Sequence, residues 1–210
     1  MQLAGDLEDL QEAFSEGAGR VQGSGSCSAF VKLGPLNSDL FFTHDTWDDY
    51  HSMLRIFKCY DTAYPLSDTD TRVIPGAKQS FSSYPGILMS GDDFYILSSG
   101  LATMETTIGN MNKELWKYIT FESVMEGVRT IVANRLAING LEWCQIFQKH
   151  NSGTYNNQWM IADYKKFRKH IPRLQSGTFY ILEQIPGKIE YRDMSAYLQQ
   201  ERYWGSYNIP

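Results

Sequence analysis

The sequence predicts an α+β fold, with packed antiparallel sheets and helices on the outside. Two observations carry this. Short strand-like runs bounded by turn residues stand towards both ends of the chain, with helical periodicities gathered between them. Aromatics make up 14% of the 210 residues, with thirteen Tyr and five Trp, which suits packed sheets or a pocket for an apolar substrate. The length fits one domain, and an apolar fraction of 42% is enough for a real core.

The elements follow in order. Leu3, Leu7, Leu10 and Phe14 recur at helical spacing and predict a helix over 6–16. Residues 17–26 form a Gly/Ser-rich connector that ends Gly23-Ser24-Gly25-Ser26. Cys27 to Leu33 reads as a strand, Gly34-Pro35-Leu36-Asn37 as a turn, and Asp39 to His44 as a second strand. Trp47, Tyr50, Leu54 and Phe57 predict a helix over 46–58, with Thr46 as its N-cap. A long polar loop covers 60–77, and strands return at 79–84, 93–98 and 101–107. Residues 113–118, 121–138 and 141–147 read as helices; Val124, Val128, Ile131, Val132 and Leu136 give the second an apolar stripe. Strands follow at 158–163, 178–184 and 188–192, and a short helix at 195–201.

Charge and composition exclude several classes. A net charge of −5 argues against nucleic acid, which favours basic patches. Lys165-Lys166-Phe167-Arg168-Lys169-His170 is most simply a solvated face. Cys27, Cys59 and Cys144 are too few for a disulfide framework. No apolar run approaches the length of a transmembrane segment, and Met1 to Asp6 lacks the features of a secretory signal. No Asn-x-Ser/Thr sequon occurs.

Cys27 is the feature that points to chemistry. If its strand pairs with the next as a hairpin centred between Pro35 and Leu36, His44 lies opposite Cys27. Opposed residues have Cβ atoms about 4.5–5.5 Å apart. A thiol needs a base or a positive neighbour to become a nucleophile. His44 is one source. The other is the α-amine that Cys27 would carry if the chain were cut after Ser26, as in N-terminal threonine nucleophiles. The bland alternative is a small buried hydrophobe.

Other groupings carry less. His44, Asp45, Asp48, Asp49 and His51 match no metal-ligand spacing, so no metal is expected. Asn151 to Trp159 is dense in amides, which turn chains and also serve as oxyanion donors. Thr107 and Asn208 are not singled out by pattern.

The strings GSGSCSAFVKL, FFTHDTWDDY, FSSYPG, DDFYILSSGL, ETTIGN, NSGTYNNQWM, LEQIPG and YWGSYNIP resemble the phospholipase B-like family, in order, from about Gly23 to Pro210. The resemblance implies an αββα sandwich of antiparallel sheets of the N-terminal-nucleophile hydrolase type, here incomplete at both ends. It implies that residues 1–26 are the remnant of a pro-region and linker, that 27–210 are a partial hydrolase domain, and that the cut falls after Ser26. Carried over by motif, the catalytic residues are Cys27, His44, Thr107 and Asn208, and Trp47 and Asn157 are expected to bind substrate. The implied activity is hydrolysis of acyl ester or amide bonds of lipids, without a cofactor. The rival expectation is an inactive or lipid-binding truncated member. The implied location is the lysosome lumen or outside the cell, and association with its own pro-fragment or the missing segments is a further implied partnership.

Overall fold

The computed structural model describes residues 2–14, 27–47, 50, 53–110 and 112–209. The chain runs α1 (Gln2–Phe14), β1 (Cys27–Leu33), β2 (Leu40–Thr46), β3 (Ile56–Asp61), β4 (Lys78–Ser83), β5 (Phe94–Leu97) and β6 (Leu101–Thr107). It continues through α2 (Glu126–Leu136), α3 (Gly140–Phe147), β7 (Asn157–Asp163), β8 (Phe179–Ile185), β9 (Lys188–Asp193), α4 (Ser195–Glu201) and β10 (Tyr203–Ser206). The strands form two antiparallel sheets, one in the order β10-β1-β2 and one running β3 to β9 in sequence order. The α+β expectation is met, and the sheets pack as a sandwich.

Alternation along each strand decides the layers. Ala29, Val31, Leu33 and Leu40 of the small sheet meet Met104, Met160, Ala162, Phe179 and Ile181 of the large one, with Leu198 of α4 sealing the end. The large sheet's other face packs Leu101, Trp159, Ile161 and Leu182 against Ala133, Ala137, Trp143, Cys144 and Phe147 of the α2–α3 region. Trp143 stacks on Phe147 at 5.0 Å and meets Trp159 at 4.9 Å.

Two sequence expectations fail. The helix over 46–58 is replaced: Thr46 closes β2, and Ile56 to Asp61 pair with β4 along their whole length. Phe57, part of the helical stripe, is 72% exposed. Alternation within IFKCYD wins because a full ladder on β4 satisfies its backbone, which a short isolated helix does not match. Residues 48, 49, 51 and 52 lie outside the described residues.

The second failure is the stripe of α2. Val128 and Val132 face outward, while Glu126, Arg129, Thr130, Ala133 and Asn134 face the large sheet. Partners explain the rotation. Glu126 Oε1 accepts from Thr130 (2.9 Å), Asn157 (3.1 Å) and Trp159 Nε1 (3.1 Å). Asn134 Oδ1 accepts from Thr103 (3.1 Å) and Trp143 Nε1 (2.8 Å). Specific buried hydrogen bonds outweigh the desolvation of two valines. β10 has no counterpart among the predicted strands; it adds to β1 with Ala29 opposite Ser206.

Candidate active site

Cys27 opens β1 and is 1% exposed. The hairpin register differs from the expected one by two residues: Ala29 faces His44, and Cys27 faces Thr46. The cause is the turn, where Leu36 and Asn37 both take left-handed backbone and the loop closes two residues later. A shift of two preserves the face, whereas a shift of one would reverse it. Cys27 and His44 therefore stand diagonally on the same inner side. On the other edge of β1, the β10 ladder ends with Ala29 opposite Ser206, and Asn208 follows two residues past that last pair.

β6 anchors both flanks. β5 begins at Phe94, opposite Met104, so β6 runs on past it and leaves carbonyls without a strand partner there. The Glu105 carbonyl accepts from His44 Nε2 at 2.8 Å. The Thr107 carbonyl accepts from Asn208 Nδ2 at 2.8 Å. The first bond fixes the tautomer: a carbonyl only accepts, so Nε2 carries the proton and Nδ1 is left as the basic nitrogen, 3.4 Å from Thr46 Oγ1. Asn208 sits in left-handed backbone at φ 66°, and one proton of its amide remains for another acceptor.

The electrostatics favour neutral groups. Burial pushes the Cys27 thiol far above its ordinary pKa, and the carboxylates of Glu105, Asp93, Asp92 and Asp45 add to it. Burial lowers the pKa of His44, against the opposing pull of Asp93 and its carbonyl bond. Within the uncut chain, then, Cys27 is a protonated thiol beside a neutral imidazole.

Beside His44 opens a cleft of about 520 Å³, lined by His44, Asp45, Thr46, Met53, Arg55 and Asp92 among others. Arg55 pairs with Asp92 at 2.9 Å. Burial opposes ionisation of Asp92, but bonds from Ser82, Arg55 and Thr46 outweigh it and hold the carboxyl below its usual range. The cleft thus has one fixed ion pair and otherwise mixed walls.

The other expected residues are placed as follows. Thr107 ends β6 and donates to the Tyr155 hydroxyl at 3.4 Å. Trp47 follows β2 and is more than half exposed. Asn157 is wholly buried on the helix-facing side of β7, donating to Glu126. Cys27 and His44 thus share the inner side, with Asn208 tied to the same β6 segment, while Thr107 and Asn157, opposed across β6 and β7, turn their side chains to the other layer and Trp47 faces the surface. Ser26 lies outside the described residues, as do Asp48, Asp49 and His51 of the suspected metal cluster. Among the described residues no three His, Cys, Asp or Glu side chains converge as a ligand set.

Sequence reasoning missed Arg55, Asp92, Asp93, Glu105 and Tyr155. One signal existed: Glu105 interrupts an otherwise uncharged strand, LATMETT, and a charge in such a strand demands a local reason.

The fold and site define a class: a two-sheet antiparallel sandwich with a strand-opening thiol beside an anchored imidazole. The Phospholipase B family model matches residues 1–210, and the chain belongs to that family. It is 53% identical over its whole length to "Putative phospholipase B-like 2" of Homo sapiens. It is 45% identical over its whole length to "Putative phospholipase B-like 1" of Caenorhabditis elegans, and 48% identical over 95% of its length to "Phospholipase B-like protein A" of Dictyostelium discoideum. The chain spans 36%, 36% and 33% of these relatives' own lengths. No helix among the described residues is long and apolar enough to cross a membrane.

Proposed function

We propose that Cys27 is the nucleophile of an N-terminal-nucleophile hydrolase that cleaves acyl ester or amide bonds of lipids, after a self-catalysed cut between Ser26 and Cys27. One observation supports the reading: Cys27 opens a strand whose neighbour β2 carries His44 on the same face, and both His44 and Asn208, just past β10, are tied to carbonyls of one β6 segment. The family name supports a lipid substrate. The fold does not choose between ester and amide.

The chemistry runs in two stages. For the cut, Cys27 Sγ adds to the Ser26 carbonyl, the C–N bond breaks, and the acyl group rests on sulfur as a thioester. Water then hydrolyses the thioester and frees the Cys27 α-amine. For turnover, that amine, with a pKa near 7.7–8.0 in free chains, takes the thiol proton. Sγ adds to the lipid acyl carbonyl, and the free proton of the Asn208 amide stabilises the oxyanion. The leaving group departs with the proton held by the amine, and water releases the acyl product. His44, neutral and bonded to Glu105, shapes and polarises the site. Thr107 supports the pocket, Trp47 offers an exposed aromatic face to an acyl chain, and Asn157 acts through the buried bonds beneath it. By family likeness the protein would work in the lysosome lumen or outside the cell.

The test is intact mass and N-terminal sequencing after incubation at mildly acidic pH, beside Cys27→Ala. Loss of residues 1–26 in the wild type alone supports the reading. A folded, uncut chain overturns it and leaves a lipid-binding or inactive member as the better account.

A further inference from the structure

We propose that Tyr155 is a positioning residue for the Cys27 centre, joining Thr107 to a buried Asp93–Glu105 carboxyl pair and itself held in place by α1. The inference rests on the reading of Cys27 as nucleophile and extends it to groups on the far side of β6.

Tyr155 stands in left-handed backbone at φ 46°, a conformation an aromatic residue adopts only under constraint. α1 supplies the constraint. Asp9 Oδ2 accepts from the Tyr155 backbone N–H at 2.7 Å. Gly5 lets the ring lie against the helix: a Cβ there would stand 1.9 Å from Tyr155 Cδ2. α1 is fastened in turn by Asp6, which accepts from the N–H groups of Glu126 and Gly127 at 3.0 Å each and from the Thr154 hydroxyl. Those N–H groups open α2, where a carboxylate is favoured.

From this anchored ring the hydroxyl donates to Asp93 Oδ2 at 2.8 Å and accepts from Thr107 Oγ1 at 3.4 Å. Asp93 and Glu105 are both wholly buried. Asp93 Oδ1 and both Glu105 carboxyl oxygens find no hydrogen-bond donor among the described residues. Two neighbouring carboxyls in the interior repel each other when both are ionised. Burial raises the Glu105 pKa well above the carboxylate range, and the Asp93 charge raises it further. The other titratable groups facing the trio are Glu126 of α2, Tyr95 of β5, Cys27 of β1 and His44 of β2.

The consequence lies on β6. Glu105 and Thr107 are the two residues whose carbonyls hold His44 and Asn208. Their side chains point the other way, to the Tyr155 hydroxyl and its carboxyl partner. One hydroxyl therefore braces the strand segment that aims both flanks of Cys27. α1, which precedes the proposed cut, is thereby part of the site's support.

The test is Tyr155→Phe in the full chain, with two readouts. Cys27-dependent processing should slow on the order of 10- to 100-fold, the effect of a small misplacement at a reacting centre. The His44 imidazole, followed by NMR, should titrate lower, because the Glu105 carbonyl bond that raises its pKa loosens with the brace. Processing within about twofold of wild type and an unmoved His44 midpoint, in a folded variant, would overturn the inference. If Tyr155→Phe does not fold, Gly5→Ala keeps the hydroxyl but displaces the ring. The same two losses support the brace, and unaltered processing overturns it. A wild-type chain that never processes but shows the His44 shift in the variant sinks the nucleophile reading and keeps the positioning role.

Discussion

The two faces of the seven-stranded sheet are built on opposite principles. The face towards the small sheet is mainly apolar: Met104, Met160, Ala162, Phe179 and Ile181 meet Val31 and Leu33, with Thr106 bonded to Ser206 and Gln158 to Trp204 at its edge. The face towards α1 and α2 mixes an aromatic core with Asp6, Asp93, Glu105, Glu126 and Arg129, all buried. Apolar contacts are non-directional and tolerate exchange. Buried polar contacts fix geometry, and their worth varies with protonation. The polar face lies directly behind the β6 segment that anchors His44 and Asn208, so geometry is fixed where the site needs it.

Four substitutions break or sharpen that contrast. The largest effect belongs to Arg129→Met. Arg129 donates to the carbonyls of Val124 and Phe147 and to Ser152 and Gln184. Removing one partner of such a buried network costs about 3–5 kcal/mol, read by urea denaturation.

Next comes Glu126→Gln, whose signature is a pH slope. Burial raises the Glu126 pKa from 4.5 to about 8, with the Asp6 charge adding and Arg129 opposing. Below about pH 4.5 both folded and unfolded chains hold the proton, and the stabilisation is complete. As pH rises towards 8 the unfolded chain loses its proton first, so stability falls. Asp9, raised to about 6 chiefly by burial, adds to the fall in the lower part of that window. The wild type should therefore melt higher at pH 5 than at pH 8. Gln keeps the oxygen that accepts from Thr130, Asn157 and Trp159, so the variant should match wild type at pH 5 and exceed it at pH 8 by about 1–3 kcal/mol. A flat wild-type profile would show that the polar face is not proton-linked.

Met160→Leu, on the mainly apolar face, should cost less than about 1.5 kcal/mol and carry no pH dependence. The smallest effect is expected of Val132→Lys. The helical periodicity makes Val132 a core residue, yet it faces outward in the structure. A change within about 0.5 kcal/mol confirms the rotated helix, and a loss of several kcal/mol restores the apolar stripe.

Much of this molecule was legible in its residues. LATMETT, α3 with its GLEWCQIF run and the hairpin around Pro35 were recognisable because alternation, helical period and turn chemistry are local properties. The pairing of Cys27 with His44 was misread by two residues, yet their shared face was readable, since side-chain parity survives a slip of two. The helix over 46–58 misled because the same hydrophobic spacing serves a strand when a long partner offers its edge.

What the residues by themselves determined is the α+β class, most element positions, and Cys27 with His44 on one face. Only the tertiary structure decided which face of α2 is buried, the register of the hairpin, and the gathering of Tyr155, Asp93 and Glu105 behind the site. Those residues are 62 and 50 positions apart in the pairs Asp93–Tyr155 and Glu105–Tyr155 when their sequence numbers are subtracted, 155 − 93 and 155 − 105. Local pattern records how a segment can bury itself. Which distant donor satisfies a buried acid is settled only when the layers close and water is gone.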